Sequence, residues 1–175
     1  MKTKKVGISG GSGGLGMAIS RKFLVDGYEL VWVGNNEEEL NQGKELLLKE
    51  FQDASIDYFV ADLTNANDFD SLHNWLTEHH QDISVFINNA GFTTFGYVNE
   101  ISEKWEENMI SLNIFSTYKL TRLFLKWMME RNDGTIINIS SNSSFQPSPR
   151  ITTYAATKAF VTSFSRGLQE ELKMQ

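Results

Sequence analysis

Ser9-Gly10-Gly11-Ser12-Gly13-Gly14-Leu15-Gly16 (SGGSGGLG) follows directly on the apolar Val6-Gly7-Ile8. Five glycines in eight residues are costly to order, because glycine loses the most backbone freedom on folding. Such density suits a place where something approaches the backbone too closely for a side chain. Lys5 to Ile8 reads as a strand, and Leu15 to Asp26 as a helix closed by Gly27. A glycine-rich turn between a first strand and a first helix is where α/β folds seat the pyrophosphate of a dinucleotide. The helix N-terminus offers free N–H donors and about half a positive charge there. A merely tight turn would need fewer glycines. The run fits three registers: Gly11, Gly13 and Gly16; Gly10, Gly13 and Gly16; or Gly10, Gly14 and Gly16. The stretch alone does not choose among them.

Outward from this loop, short apolar runs alternate with helical patterns. Glu29–Gly34, Ile56–Ala61, Ile83–Asn88 and Thr135–Ser140 read as further strands. Glu37–Phe51 and about Asn67–His80 read as helices, followed by one long helix from about Ser102 to Arg131 and a last one from about Thr153. In the long helix Trp105, Met109, Leu112, Ser116, Leu120, Leu123 and Trp127 form one stripe. Ile110, Ile114, Thr117, Leu125 and Met128 form a second, which predicts burial on two sides. The last helix carries Phe160, Val161, Phe164, Leu168 and Leu172. This alternation predicts a single domain over residues 1–175, a Rossmann-like, doubly wound parallel α/β sheet of about five strands with helices on both faces.

Composition narrows the function. A net charge of -6 argues against nucleic acid, which selects a basic face. With no cysteine there is neither a disulfide framework nor a thiolate metal site. His73, His79 and His80 lack partners at metal-ligand spacing, so no metal is expected. Met1-Lys2-Thr3-Lys4-Lys5 has the charge of a leader peptide's first region, but only Val6-Gly7-Ile8 follows before the glycine run. No run approaches the roughly 20 apolar residues of a membrane span. A cytoplasmic location, away from membranes, is the expectation.

At the end of the second strand, dinucleotide enzymes place an acid for the ribose 2′-hydroxyl or a base for a 2′-phosphate. Here the stretch is Val33-Gly34-Asn35-Asn36, with Glu37 and Glu38 starting the next helix. Asn35 or Asn36 can hydrogen-bond either form. The missing acid tilts the choice between NAD and NADP towards NADP.

The fourth strand ends in Asn88-Asn89-Ala90-Gly91, and the last helix opens with Tyr154-Ala155-Ala156-Thr157-Lys158. Together with Ser9-Gly10-x-x-x-Gly14-x-Gly16, these motifs resemble those of the short-chain dehydrogenase/reductase family, in order along essentially the whole chain. The resemblance selects the register Gly10, Gly14, Gly16 and assigns Ser12 and Leu15 to the same cofactor loop. It implies that Asp62-Leu63 contacts the adenine, that Asn89, Ala90 and Gly91 border the cofactor, and that Asn113, Ser141, Tyr154 and Lys158 are the catalytic set. Tyr154 and Lys158 then also touch the cofactor. The implied activity is hydride transfer between a nicotinamide cofactor and a carbonyl or secondary alcohol. Such a reaction needs a group that gives a proton to the developing alkoxide or takes it back. A free tyrosine titrates near 10, and a lysine at i+4 on the same helix face favours its phenolate. Ser141 would polarise the substrate oxygen, and Asn113 would hold a water linking Lys158 to solvent. Each residue also has an ordinary reading: a surface pair, a strand-end cap, a packed amide.

Family members usually continue with a sixth strand, a substrate-covering loop and a seventh strand, whereas this sequence runs to Glu170-Glu171-Leu172-Lys173-Met174-Gln175. The expectation is therefore an oxidoreductase set without its usual C-terminal strands and lid. The alternative is a truncated or inactive nucleotide-binding or interaction module of the same fold. Phe92, Thr93, Phe95, Phe145 and Gln146 are expected to line a partly apolar pocket for a small carbonyl or alcohol substrate. The resemblance also implies a homo-oligomer, a dimer or tetramer, formed by the long helix and the last helix.

Overall fold

The computed structural model describes residues 4–174, so the start of the basic stretch Met1–Lys5 and the terminal Gln175 lie outside the described residues. Strands and helices alternate as β1 (Lys5–Ser9), α1 (Gly14–Val25), β2 (Glu29–Gly34), α2 (Glu37–Glu50), β3 (Ile56–Val60), α3 (Ala66–His79) and β4 (Val85–Asn88). Then come α4 (Glu103–Ile110), a π-helical segment (Ser111–Ser116), α5 (Thr117–Arg131), β5 (Thr135–Asn138), a 3₁₀ turn (Asn142–Phe145) and α6 (Thr152–Lys173). The chain divides into two compact units. One runs to Ala90 and takes in Leu120–Ile137; the other comprises Gly91–Lys119 and the residues from Asn138 onward.

The first unit is built on a five-stranded sheet in the order β3-β2-β1-β4-β5. Parallel pairing sets Val6 beside both Leu30 and Val85, and Leu30 beside Ile56. The central strands are near-continuous apolar runs because both of their faces are covered: Val6, Ile8, Val31, Trp32, Phe86 and Ile87 are all buried. Phe124 of α5 stacks on Phe86 with ring centroids 3.8 Å apart. Trp32 is fully buried, and its indole N–H donates to Ser20 Oγ at 2.9 Å. β4 starts at Val85, two residues later than the pattern predicts. Ser84 instead sends both its N–H and its hydroxyl to the Lys5 carbonyl. β5 ends at Asn138, short of the predicted Ser140.

The long helix predicted over Ser102–Arg131 is interrupted. In the π segment each turn holds an extra residue, so the buried stripe rotates about the axis at that point. Met109 is buried before it, Asn113 and Ser116 within it, and Leu120, Thr121, Phe124, Trp127 and Met128 after it. Of the first predicted stripe, Met109, Ser116, Leu120 and Trp127 are buried. Trp105 is 61% exposed, while Phe124, in neither stripe, is completely buried. The buried face of α6 is small and polar as well as apolar. Ala155, Thr157, Lys158 and Val161 are inside, whereas Phe160 and Leu172 are exposed. Phe164 stacks with Phe160 and lies against Tyr118, at centroid distances of 5.8 and 5.9 Å. Among the described residues no helix is long and apolar enough to cross a membrane.

Candidate functional site

Strand order in the first unit reverses between β1 and β4, and the loops leaving their carboxyl ends border the crevice where open α/β sheets bind ligands. The glycine loop leaves β1 there, and Asn89-Ala90 leaves β4. Ser9 Oγ accepts the Asn89 and Ala90 N–H groups at 3.0 and 3.1 Å. Asn89 Nδ2 donates to the Ser9 and Gly10 carbonyls at 3.1 and 3.0 Å. The Gly10 N–H bonds the Val33 carbonyl at 2.7 Å, so the turn is tied to β2 as well.

The glycines now separate by cause. Gly10 has φ +67, a conformation that disfavours side chains. A Cβ on Gly16 would stand 2.1 Å from the Gly10 carbonyl oxygen. One on Gly11 would enter the Trp32 ring, at 2.3 Å, so Gly11 serves packing. At Gly14, the first residue of α1, an added Cβ would meet nothing within 4 Å. Protein contacts therefore explain Gly10, Gly11 and Gly16 but leave Gly14 unexplained. The helix start has Gly13 as N-cap with no side-chain cap, and there is no acid in its first turn. The first-turn N–H groups, those of Gly14, Leu15 and Gly16, have no intrahelical acceptor. This is a cradle of donors, with Ser12 half-buried and Leu15 exposed in it, and it fits a pyrophosphate.

The tips of β2 and β3 are less committed to a ligand. Asn36 caps α2: its side chain accepts the Glu39 N–H and donates to the Glu39 carboxylate, both at 3.2 Å. That removes Asn36 from the two amides considered for the ribose. Asn35 lines an open groove with Glu37, Glu38, Glu39 and Glu45. Asp62 Oδ1 accepts the Thr64 N–H at 2.9 Å and the Thr64 hydroxyl at 2.7 Å, closing its own turn, and Leu63 is buried.

The second unit holds the other predicted residues. Ser141 caps the 3₁₀ turn, its hydroxyl accepting the Ser143 N–H at 3.2 Å. Tyr154 lies in the first turn of α6, and Lys158 one turn on. Lys158 Nζ sits 5.8 Å from the Tyr154 ring centroid and donates to the Ile139 carbonyl at 2.9 Å. Lys158 is only 6% exposed, and burial pushes its ammonium below the ordinary lysine value. Among the described residues no carboxylate forms an ion pair with it. Its strand-end partner, Ile139, is a main-chain carbonyl and carried no signal in the sequence.

Asn113 is fully buried in the π segment, and its side chain is committed. Oδ1 accepts the Phe92 N–H at 3.2 Å, while Nδ2 donates to the Phe92 carbonyl and to Thr157 Oγ1, each at 3.0 Å. A Cβ on Gly91 would lie 2.8 Å from Asn113 Oδ1, so Gly91 is small to admit this amide. Thr157 lies inside the helix motif, between Tyr154 and Lys158, and the motif assigns it no role. Of the residues expected to line a pocket, Phe92 packs edge-on against Trp105 at 5.9 Å. Phe95 and Phe145 are 71% and 65% exposed. Among the described residues no group of three or more side chains could hold a metal ion.

Known proteins resemble this chain in sequence and fold. The short chain dehydrogenase family model matches residues 4–175. The very-long-chain 3-oxoacyl-CoA reductase of Mus musculus is 34% identical over 174 residues, which cover 95% of this chain and 54% of that protein. The chain thus spans about half the length of that curated relative. The bulky-bulky ketone specific alcohol dehydrogenase of Comamonas testosteroni superposes with a TM-score of 0.90 at 28% identity, over 99% of this chain and 69% of that one. A short-chain dehydrogenase of Sphingobium yanoikuyae, in complex with NADPH, gives a TM-score of 0.89 at 30% identity, over 97% and 66%. With the glycine cradle, the Asn88–Gly91 turn and the Tyr154–Lys158 pair all in order along the matched length, the chain belongs to the short-chain dehydrogenase family.

Proposed function

We propose that this chain carries the cofactor seat and proton-transfer group of an NAD(P)-dependent oxidoreductase acting on a carbonyl or secondary alcohol. The observation that carries the reading is Lys158: a buried ammonium with one neutral hydrogen-bond partner, beside a phenol. A buried charge without a counter-charge is expensive to keep. The cost is repaid when a neighbour becomes anionic, and the neighbour able to do so is Tyr154. Tyr154 gives its proton to the substrate oxygen in reduction and takes it back in oxidation, while Lys158 stabilises the phenolate left in between. The Ser141 hydroxyl hydrogen-bonds the same substrate oxygen. Gly10, Ser12, Gly14, Leu15 and Gly16 would hold the dinucleotide's phosphates on free N–H groups, Asn35 its adenosine ribose, and Asp62-Leu63 its adenine. The bound nicotinamide supplies or accepts the hydride. With its amide committed to Phe92 and Thr157, the Asn113 side chain is not the holder of a water between Lys158 and solvent.

For the cofactor we favour NADP, since Asn35 offers an amide where an acid would repel the 2′-phosphate, and a family neighbour holds NADPH. Glu37, Glu38 and Glu39 line the same groove and oppose that choice, so the preference should be small, within about tenfold. Titration with NADH and NADPH, followed by turnover on a panel of ketones, tests the reading together with Tyr154→Phe. The variant should bind cofactor like the wild type and lose about 10²–10⁴-fold in kcat. Full activity in Tyr154→Phe would refute the mechanism. Cofactor binding by a wild type that turns over no ketone would favour a nucleotide-binding module instead.

A further inference from the structure

We propose that Thr157 is a positioning residue, the link through which the buried Asn113 amide sets the turn of α6 that carries Tyr154. Thr157 Oγ1 accepts from Asn113 Nδ2 at 3.0 Å and donates to the Tyr154 carbonyl at 2.7 Å. The roles are fixed by inventory. An amide NH₂ can only donate, so the hydroxyl's single proton must go to the Tyr154 oxygen. The other end of the Asn113 side chain holds both polar groups of Phe92, its N–H at 3.2 Å and its carbonyl at 3.0 Å. A directed chain therefore runs from the Phe92 main chain through Asn113 and Thr157 to the Tyr154 main chain. Asn113 is 0% exposed and Thr157 1%, so water cannot replace a missing link.

A helical threonine that bonds its own i−3 carbonyl is commonplace. What sets Thr157 apart is the second bond, from a side chain on another element 44 residues away. That element is π-helical at this point, a distortion that recurs at functional sites. The β-branched side chain adds stiffness, because a helical threonine has few χ1 choices. Thr157 touches no reacting atom. It governs where Tyr154 stands, and its catalytic consequence rests on the oxidoreductase reading above.

Two variants test this: Thr157→Val, which keeps the shape and deletes the hydroxyl, and Thr157→Ser, which keeps the hydroxyl. The first readout needs neither cofactor nor substrate. Hydrogen exchange at the Phe92 N–H, measured by NMR, should be slow in the wild type, because its acceptor is the held Asn113 amide. Exchange should quicken about tenfold or more in Thr157→Val, with Val31 and Trp32 in the sheet unchanged, and return to the wild-type rate in Thr157→Ser. The second readout is kinetic. Thr157→Val should lose about tenfold or more in kcat through misplacement of Tyr154. KM for the cofactor and the midpoints of the pH–rate profile should stay put, and Thr157→Ser should restore the rate. Unprotected Phe92 in the wild type would overturn the proposal even if Thr157→Val failed to fold. So would wild-type exchange in Thr157→Val, or a Thr157→Ser that behaves like the valine variant. A wild type without turnover would remove the oxidoreductase reading, and the exchange experiment would still decide the link.

Discussion

Gly14 and Gly16 lie in one loop, two residues apart, yet the same added methyl should affect them oppositely. At Gly16 the new Cβ would stand 2.1 Å from Gly10 O and 2.8 Å from Gly11 O. Both are backbone, so the turn has to open; forced overpacking of this kind costs about 1–3 kcal/mol. In a protein of this size that lowers Tm by roughly 2–12 °C. At Gly14 the Cβ meets nothing within 4 Å, and the residue begins α1. Replacing a helical glycine by alanine gains about 0.5–1 kcal/mol in the helix interior, and less at an end. The empty Gly14→Ala protein should therefore melt at the wild-type temperature or up to about 2 °C above it. Its dinucleotide affinity should fall, because the methyl occupies the approach to the first-turn N–H groups. Loss of one hydrogen bond to a charged phosphate, about 1.5–3 kcal/mol, is about 10- to 150-fold in Kd. Calorimetric melting of both variants, paired with NADH and NADPH titrations, measures the two quantities separately. Gly14→Ala binding cofactor as tightly as the wild type would refute the phosphate seat. Gly16→Ala as stable as the wild type would refute the packing account of that glycine.

Lys158→Met should stabilise the empty protein at neutral pH while abolishing turnover. Burial lowers the folded-state pKa of Lys158 from 10.5, so the charged form costs stability below that lowered value; the cost fades as pH rises from it towards 10.5. The Tm advantage of the variant should shrink over that window, and a constant difference between pH 7 and 10 would contradict the assignment. His80 works in the acid range. It is buried against Trp75, bonded to Asp57 at 3.1 Å, and flanked by the Lys5–Asp82 pair. Burial outweighs Asp57 and lowers its pKa from 6.5, so the unfolded chain takes up the proton first and stability falls as pH drops below 6.5. Denaturant melts of wild type and His80→Asn should diverge between pH 7 and 5, the wild type falling faster; parallel curves would exclude His80 as the source.

The alternation of strands and helices was legible because parallel strands covered on both faces leave continuous apolar runs such as Leu30–Val33. Where an observed strand is shorter than its apolar run, at Ser84 and Ser140, the residue left out makes a polar contact with another element, and contacts of that kind leave no periodic trace. Ser140 illustrates this. It continues the run of β5 in sequence, but its hydroxyl bonds the Lys158 carbonyl at 2.9 Å and Thr162 Oγ1 at 2.6 Å, beyond the last residue of the strand. The glycine loop was legible as a loop and ambiguous in register, since a string of glycines does not show which are needed by neighbours. Trp32 resolves part of that, because its ring, on another strand, takes up the space beside Gly11.

The long helix shows a different limit, and it bears on the site. A stripe drawn at a constant 3.6-residue period has to place Trp105 and Trp127 on one face. The structure exposes the first and buries the second, although Met109, one turn after Trp105 and before the π segment, is buried. Polar residues are buried at the π segment: Asn113, Ser116 and Thr117, with Thr117 Oγ1 donating to the Asn113 carbonyl at 3.0 Å. The stripes take in Ser116 and Thr117 but pass over Asn113, whose burial rests on hydrogen bonds rather than on an apolar pattern. The family motif names Asn113 by position, but the reason for an asparagine lies in partners at Phe92 and Thr157, 21 residues before it and 44 after it. An apolar residue of similar size at 113 would leave both polar groups of Phe92 without their partner. The π segment and the hydrogen bonds to Phe92 and Thr157 meet at one group, a buried amide with partners at both of its polar atoms.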